Sequence, residues 1–176
     1  MKARTEEDLD AAHIGEGIIN GSWAGTGAYV ALATAGTIAP DTFAVATAAL
    51  SGALFVLGCV AFLWAYAVAV ARSRTDLIGI GGLYFLADSA PKLVRFRLRM
   101  SLAVEVVAAT ASSSIRPFTP MAFGFLVPLF GLGMMGLWGA RYGTFDQREP
   151  KADPKAGSRS DAKPESKSDA KPEPGE

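Results

Sequence analysis

The feature of this sequence that most constrains its fold is the separation of its charged residues from long apolar stretches. Nearly all charged residues lie before residue 18, between residues 72 and 99, or after residue 140. The stretches in between are long enough to hold helices that cross a hydrocarbon core of about 30 Å. A helix in water would carry charges along its outer face, so this pattern predicts a membrane protein.

The apolar stretches predict an all-α membrane protein, a four-transmembrane-helix bundle that occupies residues 18–143 as one domain. The predicted spans are 18–39, 42–71, 100–115 and 121–140. Pro40 should separate the first two spans, and Pro128 should kink the fourth. The second span is longer than a bilayer requires, so we expect it to tilt or protrude.

The third predicted span is the least apolar because it contains Glu105 and several hydroxyl side chains. Each Leu, Val or Ile favours insertion by about 0.3–0.6 kcal/mol, whereas a charged residue near the helix centre costs roughly 3 kcal/mol. We therefore expect this helix to lie in the membrane only where neighbouring helices cover its polar face.

The segment 77–99 separates the second and third spans. Its first part, 77–87, is apolar but too short to cross a bilayer, which leaves an interfacial and a re-entrant placement open. A helix start follows near Ser89, and the basic residues are Lys92, Arg95, Arg97 and Arg99. Positive residues mark the cytoplasmic side, so four spans place both termini in the cytoplasm.

The two ends of the chain are polar. Residues 1–17 form an acidic N-terminal segment, and residues 144–176 are rich in Lys, Glu, Asp, Ser and Pro, with a repeated SDAKPE motif. Such a composition buries too little apolar surface to offset chain entropy, so it predicts a disordered C-terminal tail. The tail could serve as a solubilising spacer or as a binding segment for a partner.

The sequence lacks the common catalytic motifs. It has no phosphate-binding Gly-rich loop with its Lys, no H-E-x-x-H and no G-x-S-x-G. A single His and a single Cys cannot build a nucleophile pair or a thiolate metal site. We therefore expect no catalytic, cofactor-binding or metal-binding residues. The basic residues lie beside apolar spans, which gives no indication of nucleic-acid binding.

Glu105 and Ser101 are the candidate intramembrane polar site. Ser101 lies one helical turn from Glu105 and could share a hydrogen bond with it. Three interpretations remain open: a structural group that is neutral or satisfied by hydroxyls, a proton or cation relay, and a contact with a partner subunit. In the structural interpretation, the candidate hydrogen-bond partners of Glu105 on other helices are the hydroxyls of Thr34, Thr37, Thr47 and Ser51.

Two further groups of residues are candidates for membrane contacts. The cluster Lys92, Arg95, Arg97 and Arg99 could bind anionic lipid headgroups, or it could only set the topology. Small residues at helical spacing predict close helix packing, either within the bundle or against another protein. These packing residues are Gly21, Gly25, Ala28, Ala48, Gly52, Gly131 and Gly136.

Between residues 72 and 148 the chain resembles small uncharacterised four-helix integral membrane proteins of actinobacteria. The resemblance is carried by Gly79-Ile80-Gly81-Gly82-Leu83-Tyr84-Phe85-Leu86, by Ala90-Pro91, and by Leu137-Trp138-Gly139-Ala140-Arg141-Tyr142-Gly143-Thr144-Phe145. It implies a bacterial plasma membrane and no particular activity.

The expected function is that of a non-catalytic accessory or assembly subunit of a larger membrane complex, such as a respiratory-chain or cell-envelope machine. Its partners would be the lipid bilayer and that complex, or further copies of the chain. The alternative is a small proton-coupled transporter or channel that uses Glu105, and a membrane enzyme comes third.

Overall fold

The computed structural model describes residues 14–115 and 117–147, and it shows an all-α protein. The helices are α1 (Glu16–Ile38), α2 (Pro40–Arg72), α3 (Ile80–Tyr84), α4 (Lys92–Ile115), a 3₁₀ helix (Pro120–Leu126) and α5 (Pro128–Tyr142). The predicted all-α class is confirmed. Most of the predicted polar N-terminal segment and residues 148–176 of the predicted tail lie outside the described residues.

Three helical segments are long and apolar enough to cross a membrane: Pro40–Arg72, Lys92–Ile115 and Pro120–Tyr142. They indicate a multi-pass membrane protein and match three of the four predicted spans. The remaining long helix, α1, has 23 residues and one acidic residue in its first turn. Its many Gly, Ser and Thr residues lower its mean hydropathy, so α1 does not belong to this apolar group.

Proline marks the helix starts that the sequence suggests. Pro40 is the first residue of α2, where its fixed φ angle suits a helix and its missing N–H leaves no donor unsatisfied. Pro128 likewise begins α5, directly after the 3₁₀ helix ends. The fourth predicted span is therefore two helices of different type rather than one kinked helix.

The starts of α1 and α4 and the ends of α2 and α5 lie together at one end of the bundle. The Trp138 indole donates to the carbonyl of Ile14 over 3.1 Å, and Arg72 at the end of α2 donates to the Ala140 carbonyl over 2.9 Å. The Thr144 N–H donates to the Ser89 carbonyl over 3.0 Å. Consecutive long helices therefore run in alternating directions.

The first residues of the predicted tail, 144–147, have backbone partners elsewhere in the chain. Leu77 N–H donates to the Asp146 carbonyl over 2.8 Å, and Asp76 and Gln147 form an isolated antiparallel bridge. Residues up to Gln147 are thus hydrogen-bonded to the loop that follows α2, because their backbone groups find partners there.

The apolar segment that the sequence left as interfacial or re-entrant folds back onto the bundle. The Tyr84 ring stacks on Phe62 with a centroid distance of 4.3 Å, and its hydroxyl donates to the Phe62 carbonyl over 3.0 Å. Leu83 and Leu86 are buried as well, whereas Ile80 and Phe85 are exposed. The segment therefore buries one set of side chains over the ends of α2 and α5 and leaves other apolar side chains exposed.

Glycines bring α2 and α5 into backbone contact. A Cβ added at Gly58 would lie 2.6 Å from the Phe130 backbone N, and one added at Gly133 would lie 2.5 Å from the Gly58 carbonyl oxygen. Of the predicted packing residues, Gly136 belongs to this interface, since its Cβ would lie 3.3 Å from Ala65 Cβ of α2, and the same Cβ would meet the Tyr84 ring of α3 at 2.5 Å. Such close approach is how membrane helices gain dispersion contacts.

The other predicted packing residues behave differently from one another. Gly21 and Gly25 face α5, where added Cβ atoms would meet the side chains of Met134 and Phe130. Ala48 is half-buried, Ala28 is exposed, and a Cβ at Gly52 would meet nothing within 4 Å. The sequence left packing within the bundle and packing against another protein open, and for Ala28 and Gly52 packing against another protein stays a prediction.

Candidate functional site

Glu105 is a fully buried residue of α4, and its carboxyl group joins three helices. Its Oε1 accepts a hydrogen bond from Thr26 Oγ1 of α1 over 2.7 Å. Its Oε2 accepts one from the backbone N–H of Gly131 in α5 over 3.0 Å. One side chain therefore crosslinks α1, α4 and α5.

The position of Gly131 explains why a carboxyl group belongs here. The first N–H groups of a helix lack partners within the helix, and α5 begins inside the candidate span Pro120–Tyr142. Val127 provides no side-chain cap, and its carbonyl accepts from the Phe130 N–H over 2.8 Å. Hydrocarbon offers no hydrogen-bond acceptor. Glu105 supplies one from the neighbouring helix, at the end of α5 where the helix dipole favours a negative group.

Gly131 has to be glycine for this contact to form. A Cβ at position 131 would lie 2.5 Å from Glu105 Oε2 and 3.1 Å from Leu102 Cδ1. Both distances are shorter than ordinary contacts, so a side chain would push α5 away from α4. The predicted packing residue Gly131 therefore makes room for the carboxyl group rather than for another helix backbone.

A chain of buried hydroxyl groups extends from Glu105. Thr26 Oγ1 lies 2.7 Å from Ser101 Oγ, and Ser101 Oγ lies 2.9 Å from Ser22 Oγ. Thr26 Oγ1 also lies 2.9 Å from the Ser22 carbonyl. A hydroxyl has one hydrogen. Thr26 donates it either to Glu105 or to that carbonyl, so the chain has two possible directions of hydrogen bonding.

Ser101 and Glu105, the two residues of the predicted polar site, are linked in the structure through Thr26. Ser101 is bonded to Thr26, and Thr26 is bonded to Glu105. The four hydroxyls that the sequence suggested as partners of Glu105 donate to backbone carbonyl groups instead. Thr34 donates to the carbonyl of Val30, and Ser51 donates to that of Thr47. Thr37 and Thr47 do the same. The hydroxyl that reaches Glu105 is therefore not one of these four.

Ser22 and Thr26 were missed because the residues of α1 predicted to pack, Gly21, Gly25 and Ala28, lie at other positions of the helix. The buried positions of α1 are Ile19, Ser22, Thr26, Tyr29, Ala33 and Gly36. Their spacing of three and four residues is the sequence signal that could have identified them. This stripe mixes apolar, polar and small residues, so its composition alone does not distinguish it from the outward face of α1.

A second group of buried hydroxyls continues the same α1–α4 interface. Tyr29 Oη lies 3.1 Å from Ser112 Oγ, and Ser113 Oγ donates to the Met121 carbonyl over 3.4 Å. Gly124 of the 3₁₀ helix lies against this group, since an added Cβ would be 3.4 Å from both Ser112 Oγ and Ser113 Oγ. Buried polar groups thus follow α4 over several turns.

The four basic residues of α4 separate into two sets. Lys92, Arg95 and Arg99 line one groove, whereas Arg97 is half-buried on another face. Arg99 donates to the Phe85 carbonyl through Nε over 3.0 Å and through Nη2 over 2.5 Å. Arg95 Nη1 lies 3.5 Å from Asp88 Oδ1.

Within residues 14–115 and 117–147, no three His, Cys, Asp or Glu side chains come together as metal ligands could. Comparison of the chain with protein-family models, with curated proteins and with solved structures finds no match. The resemblance to actinobacterial four-helix proteins therefore stays a prediction.

Proposed function

We propose that this chain is a non-catalytic accessory or assembly subunit of a larger bacterial membrane complex. The observation that supports the proposal most is the outward face of α1. Most of its exposed residues are small or polar and repeat every three or four positions: Gly17, Asn20, Ala24, Gly27, Ala31 and Thr34, with Trp23 and Ile38 as the exposed large apolar side chains. A face of this kind gains little from lipid chains but allows another helix to approach closely.

The outward face of α2 provides the contrast. Val56, Val60, Leu63 and Trp64 are all exposed there, each by more than half of its surface. Large apolar side chains favour contact with lipid, as membrane insertion scales show. Two helices of one bundle thus present opposite surfaces, and the one on α1 is suited to a protein partner.

The geometry around Glu105 agrees with a role in assembly. Both carboxyl oxygens accept hydrogen bonds from the protein itself, and the residue is fully buried. Its burial is explained by the need to cap α5 and to hold α1 and α4 beside it. No substrate is required for that role.

Purification in mild detergent followed by mass spectrometry tests the proposal. Wild-type protein should retain a different membrane protein in stoichiometric amount. Gly27→Leu should lose it, and Gly52→Leu is the matched control because added Cβ atoms at both glycines meet nothing within 4 Å. Recovery of a lone homodimer, or equal loss of partner in both variants, would contradict the proposal.

We further propose that α1 crosses the membrane with the other three spans, which places both termini in the cytoplasm. α1 is 23 residues long, or roughly 35 Å at 1.5 Å per residue, enough for the hydrocarbon core. The clustering of α-helix ends near Arg72, Lys92 and Arg141 supports this arrangement, since positive residues favour the cytoplasmic side. A reporter fused after Gln147 should be cytoplasmic, and one inserted after Phe118 should be external.

The second candidate function is proton-coupled transport through Glu105, and the chain of buried hydroxyls favours it. Glu105, Thr26, Ser101 and Ser22 are linked by successive hydrogen bonds of 2.7, 2.7 and 2.9 Å. Hydroxyl chains that can reverse their direction are able to pass a proton. A Glu105→Gln variant that folds normally but fails to complement a deletion strain would support transport over assembly.

A further inference from the structure

The first half of α4 forms a groove in which basic and apolar residues are interleaved. Lys92, Arg95 and Arg99 share one face of the helix, since residues three and four apart are neighbours on its surface. The same groove is lined by Phe96, Met100 and Ala103, all of them exposed. A single surface of the helix therefore combines cations with exposed apolar side chains.

The cations of this groove keep most of their charge available. The residues that line it include three cations and no acid. Asp88 lies 3.5 Å from Arg95 at the edge, but its side chain is fully exposed, so water screens the pair. Lys92 forms no hydrogen bond or ion pair with the part of the chain that the structure describes.

Arg99 is held in place without being neutralised. Its Nε and Nη2 atoms both donate to the carbonyl of Phe85, a neutral acceptor. The next residue, Leu86, is fully buried and has a φ angle of 53°, which a leucine rarely adopts. Arg99 thus supports this turn through hydrogen bonds, and it keeps its positive charge while it lines the groove.

We propose that this groove binds one anionic phospholipid, with its phosphate between Lys92, Arg95 and Arg99 and an acyl chain along Phe96 and Met100. Guanidinium and ammonium groups donate charge-assisted hydrogen bonds to phosphate oxygens. Phe96 and Met100, each next to an arginine of the groove in sequence, favour a ligand that also carries a hydrocarbon chain. Charge complementarity and these exposed apolar side chains distinguish a phospholipid from a soluble phosphate. The site is independent of the function proposed above.

Arg97 provides a matched control within the same helix. It carries the same charge and lies between Arg95 and Arg99 in sequence, but it does not line the groove. A cluster that only sets topology would depend on all four charges alike. A defined lipid site depends on the charges that line it.

The test is native mass spectrometry of the full-length protein titrated with phosphatidylglycerol or with phosphatidylcholine. Wild type should bind one phosphatidylglycerol in preference to phosphatidylcholine. Removal of each groove charge should weaken binding about fivefold, so Lys92→Gln with Arg95→Gln should weaken it about 25-fold. Arg97→Gln should stay within about twofold of wild type, the precision of such a titration.

Three results would overturn the proposal: no preference for the anionic lipid, equal weakening in the Arg97→Gln variant, or equal displacement of bound lipid by soluble glycerol phosphate. The last would show that the acyl chain contributes nothing. Thermal unfolding of each variant in detergent checks that it is folded. Arg99 is left unchanged because its hydrogen bonds to Phe85 support the buried turn.

Discussion

The two halves of α4 both carry ionisable residues, yet their surroundings are opposite. Between Lys92 and Arg99 the cations lie at the surface, and they can reach water or headgroups by extending their long side chains. Between Ser101 and Ser113 four polar residues are buried against the neighbouring helices: Ser101, Glu105, Ser112 and Ser113. Glu105 in this half has one fixed position, where both oxygens accept hydrogen bonds.

This difference shows that ionisable side chains of one helix can be stabilised in two ways, by solvent or by neighbouring protein groups. An exposed cation is stabilised by solvent, so its charge needs no particular neighbour in the protein for the helix to fold. A buried carboxyl is stabilised only by the groups that surround it, and losing one of them leaves an unpaired polar group. Substitutions in the buried half should therefore have far larger effects on folding than those in the basic half.

The largest effect is expected for Glu105→Lys. Lysine has no acceptor atom, so the Gly131 N–H would lose its partner and a cation would be buried among helices. We expect almost no monodisperse protein after extraction in detergent. Arg97→Gln in the basic half is the control and should purify at the wild-type yield. Normal yield of Glu105→Lys would show that the carboxyl group does not cap α5.

The next largest effect is expected for Gly131→Val. The added Cβ would lie 2.5 Å from Glu105 Oε2, so α4 and α5 would have to separate. Overpacking of this kind costs about 1–3 kcal/mol, which a lower midpoint of thermal unfolding in detergent would reveal. Gly52→Val, where a Cβ meets nothing within 4 Å, should leave the midpoint close to wild type.

A smaller effect is expected for Thr26→Val, which keeps the shape of the side chain and removes its hydroxyl. Glu105 Oε1 and Ser101 Oγ would each lose a hydrogen-bond partner, a loss of about 1–3 kcal/mol in folding free energy. Thr34→Val is the control, since Thr34 is exposed and bonds only to the Val30 carbonyl. Equal stability of the two variants would contradict the importance of the buried hydroxyl chain.

The smallest effect is expected for Glu105→Gln. The amide oxygen can accept from the Gly131 N–H, while the amide nitrogen donates to Thr26, whose own hydrogen then bonds the Ser22 carbonyl. Unfolding temperature and yield should remain close to wild type, and a deletion strain should be complemented. Complementation distinguishes a structural role of Glu105, in which it connects three helices by hydrogen bonds, from a role as a proton relay. Glutamine can fill the first role but cannot release a proton.

Much of the fold was predictable because the signals are local. The apolar runs located three of the long helices that could span a membrane, and Pro40 separated the first two long helices as predicted, whereas Pro128 begins a helix instead of kinking one. The unfavourable insertion of the helix around Glu105 predicted that neighbouring helices would cover its polar face, and the carboxyl is buried as expected. Each of these predictions depends on residues close together in sequence.

The partners of Glu105 could not be predicted, because they depend on how helices distant in sequence are rotated and aligned. Thr26 and Thr34 are chemically equivalent residues of α1, but only Thr26 faces α4. The exposed Ala28 and the open space at Gly52 show the same limit, since small residues suit either face of a helix.

The sequence by itself determined which segments are helical, which are apolar enough for a membrane, and that an acid in α4 needs protein around it. Only the tertiary structure decided that this acid would cap the first turn of α5 and that three of four basic residues would share a groove. The reason is physical. Helix formation and hydropathy depend on near neighbours along the chain, whereas hydrogen bonds between helices depend on their relative rotation, which the packing of the whole bundle sets.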